Sequence, residues 1–213
     1  MPDLTLKDGR TLVYHLHGSE QGAPVLFVHG ISDSGLIRHH DDALTASLGV
    51  RLISPNLPGV GRSTRWRLFP VIRAALVILS FQARRDPASF IEVSALSYPS
   101  DTAAFLESPT QRKIFEASFS EGFAQYGEGI YEVVCASSGK WDFDLSSVTQ
   151  PVDIFYGDTD DIMSPELSFI LAKRLPNATT HLWAGGGHYD YVKRERWVEF
   201  VGAMVGASAS ASV

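Results

Sequence analysis

The sequence predicts an α/β fold in which a mostly parallel sheet is flanked by helices and interrupted by a helical insert. Residues 25–28 (VLFV) and 51–54 (RLIS) are short apolar runs separated by a helix-length segment. This order is typical of a βαβ unit with parallel strands. From residue 66 to about 131 the sequence has almost no strand character, and a buried strand returns at residues 152–156 (VDIFY).

The individual elements follow from turn and capping residues. Residues 4–7 and 11–16 flank Asp8-Gly9, which predicts a β-hairpin. Residues 25–28 are typical of a strand buried on both faces. Residues 36–48 favour a helix that ends at Gly49. Later helices are expected over 67–84, 88–97, 100–107, 109–135, 165–174 and 190–205, with a last strand over 179–183.

Composition and charge exclude several classes of function. The chain has 213 residues, a net charge of −6 and no block of Lys and Arg, which argues against a nucleic-acid partner. The longest apolar run, residues 69–81, is too short for a membrane span, which needs about 20 residues. One cysteine cannot form an internal disulfide. We expect a soluble, cytoplasmic protein with no transmembrane segment, no signal peptide and no cofactor.

Two early motifs lie at predicted strand ends, where α/β sheets bind their ligands. Residues 25–35 (VLFVHGISDSG) leave backbone N–H groups free at a strand tip, which suits an oxyanion, although a simple strand-to-helix turn explains them as well. Residues 55–63 (PNLPGVGRS) lack a phosphate-loop pattern. The run 39–42 (HHDD) has no coherent spacing for a metal, and we expect no metal site.

The late motifs combine acidic residues and a histidine. Residues 156–165 (YGDTDDIMSP) place carboxylates after a buried strand, and residues 184–192 (AGGGHYDYV) place His188 on a glycine-rich loop. A carboxylate that orients a histidine forms the acid–base half of a nucleophilic triad. A capping cluster and a loop histidine are the structural alternatives.

Taken together, these motifs resemble the α/β-hydrolase fold, nearest to the branch with a helical cap. The resemblance spans roughly residues 8–202 and implies that Asp160, the second Asp of a GDxD pattern, is the triad acid, with Asp161 as the nearest competitor. It implies that His188 is the triad histidine. It also implies that His29-Gly30 forms the oxyanion loop, with the N–H of Ile31 as one donor.

The resemblance further implies a division of the chain. Residues 1–65 and 146–206 correspond to the two parts of the hydrolase core, residues 66–145 to the cap, and residues 207–213 to a disordered tail.

The nucleophile of this family is missing. It normally lies on a G-x-S-x-G elbow between the second motif and the cap, yet no such pattern, and none with Cys or Asp in place of Ser, occurs in the chain. Ser32, Ser34, Ser63 and Cys135 are the weak candidates for a substitute. We expect Ser63 to be structural, and Cys135 to be buried among apolar neighbours with little thiolate.

The missing segment would have supplied central strands of the sheet. We expect the strand at 152–156 to pair with residues 25–29 and so close the gap; the alternative is an open apolar edge. Three functions stay open: a degraded relative of hydrolases of small apolar esters or amides, an active hydrolase with a non-standard nucleophile or activated water, and a module that binds a small apolar molecule beneath the cap without turnover.

Overall fold

The computed structural model describes residues 2–64, 71–106, 108–138 and 143–210. The chain divides into two compact units, one of Met1–Val93 with Ser108–Gly139 and the other of Ser94–Glu107 with Lys140–Val213. The division into core, cap and tail expected from the sequence remains a prediction.

A four-stranded sheet forms the centre of the first unit. Its strand order is β1-β2-β4-β3, and its strands are β1 (Asp3–Thr5), β2 (Thr11–Gly18), β3 (Ala23–Leu26) and β4 (Val50–Pro55). β2 pairs antiparallel with β1 and β4, whereas β3 and β4 run parallel. The hairpin predicted around Asp8-Gly9 is confirmed.

The first helix is shorter than the sequence predicts. It spans Asp42–Ser47 (α1), because the Asp41 side chain accepts the N–H of Leu44 (3.1 Å) and caps the helix there. The backbone before the helix forms hydrogen bonds with a side chain instead: the carbonyl of Arg38 accepts from the side-chain amide of Gln111 (3.0 Å). Gly49 follows the helix with φ of 71°, a left-handed conformation that glycine adopts without strain.

The helical insert contains α2 (Val71–Arg85), α3 (Pro87–Ser97), α4 (Thr102–Leu106), α5 (Pro109–Gly122) and α6 (Glu128–Ser138). The predicted start of the first of these, at residue 67, lies outside the described residues. The single helix expected over 109–135 is two helices, since Tyr126 and Gly127 have φ of 58° and 77° and turn the chain. In the part of the chain that the structure describes, no helix is long and apolar enough to cross a membrane.

A two-stranded parallel sheet forms the centre of the second unit. Its strands are β5 (Val152–Gly157) and β6 (Ala178–Trp183), and its helices include α7 (Pro165–Arg174) and α8 (Arg194–Ser210). Its buried side chains include Phe105, Tyr189, Val192, Trp197 and Val201. The last helix reaches Ser210, past the predicted end near residue 205 and into the predicted tail; residues 211–213 lie outside the described part.

The predicted closure of the sheet is wrong. Among the described strands, β3 pairs only with β4 and β5 pairs only with β6. Residues 25–28 are also not buried on both faces, since Leu26 is 67% exposed and Val28 is 54% exposed. The physical reason is that each strand pairs within its own unit, which leaves β3 as an edge strand of the four-stranded sheet. The open apolar edge is therefore the alternative that the structure adopts.

Candidate active site

An aspartate and a histidine meet in the second unit. Asp160 Oδ2 lies 2.9 Å from Nδ1 of His188. The other carboxylate oxygen of Asp160 accepts the backbone N–H groups of Ile162 (2.8 Å) and Met163 (2.7 Å). The carboxylate is therefore held on both oxygens, and a carboxylate so fixed orients the imidazole that binds to it.

The two parallel strands of the second unit bring this pair together. Asp160 lies in the loop after β5, and His188 lies in the loop after β6. Because the carboxyl ends of parallel neighbours meet at one edge of a sheet, the two loops are adjacent. The carbonyl of Gly186 accepts both the N–H (3.1 Å) and the hydroxyl (2.9 Å) of Thr159, which ties the loops to each other.

Neighbouring aspartates make other contacts. Asp161 Oδ2 accepts the N–H of Ser100 at 3.1 Å. Asp158 Oδ1 accepts the N–H of Gly185 at 2.6 Å. The structure thus brings Asp160, rather than Asp161, to His188.

The imidazole of His188 is partly accessible to solvent. The side chain is 31% exposed, whereas that of Asp160 is 9% exposed. Among the described residues of the second unit, no group bonds to Nε2 of His188. In a nucleophilic triad this nitrogen takes the proton of the nucleophile while the acid holds Nδ1. The orientation of the ring therefore suits a general base.

A second aspartate–histidine pair lies on the same two strands. Nε2 of His181 lies 2.7 Å from Asp153 Oδ1, and the two side chains are 29% and 33% exposed. The ring of His181 stacks on Phe155, with centroids 4.2 Å apart. Here the acid contacts Nε2 rather than Nδ1. This pair therefore serves as a comparison for Asp160 and His188.

The predicted oxyanion loop lies in the first unit. The Nδ1–H of His29 donates to the carbonyl of Gly30 (2.7 Å), and Nε2 accepts the N–H of Leu57 (3.2 Å). Burial lowers the pKa of His29, so that this ring stays neutral. Among the described residues of this unit, the N–H of Ile31 bonds to no acceptor, and its side chain is 44% exposed. His29 is a structural residue that holds the loop, and Ile31 leaves a donor available.

A buried polar network supports this loop and escaped the sequence analysis. Asn56 accepts the N–H of Gly35 (2.7 Å) and donates to Glu121 (3.0 Å), whose second oxygen lies 3.2 Å from Nε2 of His15. Burial acts to raise the pKa of Glu121, but hydrogen bonds from His15 and Ser34 outweigh it and leave the pKa below its ordinary value. Glu121 is thus a buried carboxylate compensated by hydrogen bonds.

Two of the candidate nucleophiles are buried. Ser63 Oγ accepts the N–H of Val13 (3.0 Å) and donates to the carbonyl of Asn56 (3.0 Å), which agrees with the structural role expected for it. Ser34 is 0% exposed, and its hydroxyl accepts the N–H of Leu36 (3.2 Å). Neither hydroxyl is presented to a substrate in this conformation.

The other two candidates are more accessible. Ser32 is half-buried in the loop after His29-Gly30. Cys135 is exposed, so that the predicted burial among apolar neighbours is wrong. Its helix, α6, directs the neighbouring Ile130 and Tyr131 inward instead. Among the described residues no group of three or more His, Cys, Asp or Glu side chains is arranged to hold a metal ion.

Sequence reasoning also missed Asp101. This residue is 0% exposed and accepts the N–H of Tyr189 at 2.7 Å, next to His188. Asp101 lies in the predicted helical insert, so that nothing in the sequence pattern linked it to the C-terminal motif. The signal that could have pointed to Asp101 was the presence of a carboxylate in a segment with several apolar residues.

Comparisons with known proteins identify the fold. No family model and no curated protein matches the sequence. Among solved structures, an esterase from Thermogutta terrifontis matches with a TM-score of 0.62 at 17% identity, covering 98% of each chain. A bromoperoxidase from Bacillus anthracis matches with a TM-score of 0.60 at 19% identity, covering 94% of this chain and 96% of that one. A meta-cleavage product hydrolase from Pseudomonas fluorescens matches with a TM-score of 0.59 at 18% identity, covering 99% and 98%. Our chain therefore has the α/β-hydrolase fold, as the sequence predicts.

Proposed function

We propose that this protein is a relative of hydrolases of small apolar esters or amides that retains the acid–base pair and has lost the nucleophile. The observation that carries the proposal is the contact of Asp160 with Nδ1 of His188, with Nε2 left open. The similar structures include esterases and a meta-cleavage product hydrolase, which supports the substrate class. We expect little or no ordinary esterase activity.

The chemistry left to such a site is general-base activation of water. Nε2 of His188 would accept a proton from a water molecule as the oxygen attacks the carbonyl carbon, and Asp160 would stabilise the imidazolium that forms. The protonated imidazole would then donate its proton to the leaving group. The hydrogen-bonding contact of Asp160 with Nδ1 of His188 supports both steps.

The cost of the missing elbow is large. Removal of the nucleophile alone lowers turnover by ~10⁶ in subtilisin. The elbow also supplies one of the two oxyanion donors in this fold. Water attack under His188 is therefore expected to be far slower than acyl-enzyme chemistry.

Two alternatives follow from particular observations. Exposed Cys135 and half-buried Ser32 keep open an active hydrolase with a non-standard nucleophile. Exposed apolar side chains on α2, where Ile78 is 64% and Phe81 is 61% exposed, favour a module that binds a small apolar molecule without turnover.

The test is hydrolysis of p-nitrophenyl acetate and butyrate by purified, monodisperse protein. The variant is His188→Ala, and the matched control is His181→Ala, which removes the other aspartate–histidine pair of the same sheet. We expect the unaltered protein to hydrolyse both esters very slowly, and the slow rate to be lost in His188→Ala and kept in His181→Ala.

Rapid hydrolysis that depends on His188 would contradict the loss of function. In that case Ser32→Ala and Cys135→Ala would identify the nucleophile, together with detection of an acyl adduct by mass spectrometry. Equal loss in both histidine variants would show that the pair at Asp160 has no catalytic role.

A further inference from the structure

A buried carboxylate lies beside the loop that carries His188. Asp101 belongs to a short 3-10 turn, Pro99–Asp101, and is completely buried. Its Oδ1 accepts the N–H of Tyr189 at 2.7 Å. Its Oδ2 is buried and has no hydrogen-bond partner among the described residues. Burial of a carboxylate oxygen without a hydrogen bond lowers the stability of the fold, so that we expect Asp101 to have a role in the protein.

The loop approaches this carboxylate closely. A Cβ atom on Gly187 would lie only 2.5 Å from Asp101 Oδ1, so that the glycine permits the contact. The loop is fixed at its other end as well, where Asp158 accepts the N–H of Gly185 at 2.6 Å. Two carboxylates therefore hold the backbone of the loop, Asp158 at Gly185 and Asp101 at Tyr189.

The charge of Asp101 is linked to the catalytic pair. Burial raises the pKa of Asp101, whereas the backbone N–H groups of Tyr189 and His188 and the positive charge of protonated His188 lower it. The negative charge of Asp160 acts in the same direction as burial. Of the other charged groups nearby, Asp161 binds the N–H of Ser100, and Asp190 pairs with Lys193.

We propose that Asp101 is a positioning residue for His188: its carboxylate anchors the backbone at residues 188–189 while Asp160 orients the ring. The inference rests on the proposed role of His188 as the general base. Asp160 fixes rotation of the imidazole, and Asp101 fixes the position of the main chain from which the imidazole projects. The link between Asp101 and His188 also places a second negative charge close to the imidazolium that would form during turnover.

The test uses NMR of the full chain and follows the backbone amides of His188 and Tyr189 through a pH titration. We expect the Tyr189 signal to shift in one step as Asp101 ionises, at a pH above the ordinary value of 3.8. The step should vanish in Asp101→Asn, which keeps the acceptor and removes the charge. It should persist in Asp158→Asn, the matched control on the other side of the loop. In His188→Gln it should move to higher pH, because the charge that lowers the Asp101 pKa is gone.

Hydrogen exchange provides the second readout. In Asp101→Ala the Tyr189 amide should exchange roughly tenfold faster, since its acceptor is lost, whereas Asp101→Asn should retain the protection. A step that survives Asp101→Asn, or one that Asp158→Asn abolishes equally, would overturn the assignment. If Asp101→Ala does not fold, the titrations of the unaltered protein and of Asp101→Asn still decide it.

These readouts need no turnover, so that the two proposals can fail separately. A residual rate of ester hydrolysis that is unchanged in His188→Ala, together with a step that follows Asp101, would reject the role of His188 as a base and keep the anchoring role. A small residual rate that is lost in His188→Ala, with an NMR step that persists unchanged in Asp101→Asn, would reject the anchoring role alone.

Discussion

The two aspartate–histidine pairs of the second unit have the same composition and different surroundings. Asp153 with His181 and Asp160 with His188 both join residues 28 positions apart, across the parallel strands β5 and β6. The first pair lies within the strands, where the carboxylate is 33% exposed and holds the outer nitrogen Nε2. The second pair lies in the loops beyond them, where the carboxylate is 9% exposed and holds Nδ1.

The difference shows that an acid close to a histidine does not always leave the second ring nitrogen available. Asp160 is fixed by two backbone N–H groups and leaves Nε2 of His188 open, so that the ring can accept a proton from outside. His181 has its Nε2 occupied and its face covered by Phe155. Position at the strand end, rather than residue type, distinguishes the two.

The largest expected effect is on stability when the fixed carboxylate is removed. Asp160→Ala leaves the N–H groups of Ile162 and Met163 without their acceptor and should lower the free energy of unfolding by about 2–3 kcal/mol. Urea denaturation followed by circular dichroism measures the change. A loss no greater than that of Asp153→Ala would remove the distinction between the pairs.

A smaller effect of opposite sign is expected at Asp101. Its pKa is raised in the folded state, so that its contribution to stability is fully present below 3.8 and is lost as the pH rises through the folded value. Asp101→Asn stays neutral and should therefore gain stability relative to the unaltered protein as the pH is raised. Melting temperatures of both proteins at about pH 4, near the ordinary pKa of Asp, and at about pH 7 test this. The same stability difference at both conditions would contradict the buried charge.

Chemical modification should distinguish His188 from His181, because the Nε2 atom is accessible only in His188. Diethyl pyrocarbonate acylates an accessible imidazole nitrogen, so that His188 should react several-fold faster than His181, whose Nε2 is held by Asp153. Mass spectrometry of peptides after a short exposure gives both rates in one sample. Faster reaction of His181 would mean that Nε2 of His188 is blocked in solution.

The smallest effect is expected at the exposed pair. Asp153→Ala removes an ion pair whose two partners are each about a third exposed, and such pairs contribute roughly 0–1 kcal/mol. Unfolding by urea at low and high salt measures it, and added salt should reduce the difference further. A loss above that range would show that the pair at Asp153 supports the sheet as strongly as Asp160 supports its loop.

Much of the fold follows from local signals in the sequence. The hairpin at Asp8-Gly9, the helix that starts with Ser108 as its cap, and the parallel strands β5 and β6 all form where the residues predict them. In each case a turn residue, a capping side chain or an apolar run acts within a few positions along the chain. Non-local contacts changed the rest: Gln111 holds the backbone before α1, and the helix predicted over 109–135 breaks at Gly127.

The sequence by itself predicted the α/β-hydrolase fold, showed that no G-x-S-x-G pattern is present and selected Asp160 and His188 as candidates, because motifs at strand ends lie in consecutive residues. Only the tertiary structure decided that β3 and β5 do not pair, that Cys135 is exposed and that Asp101 anchors the loop of His188. Those features depend on which distant groups meet once the chain has folded. Burial and the hydrogen bonds of carboxylates to remote N–H groups arise only in the folded chain, and no local sequence pattern predicts them.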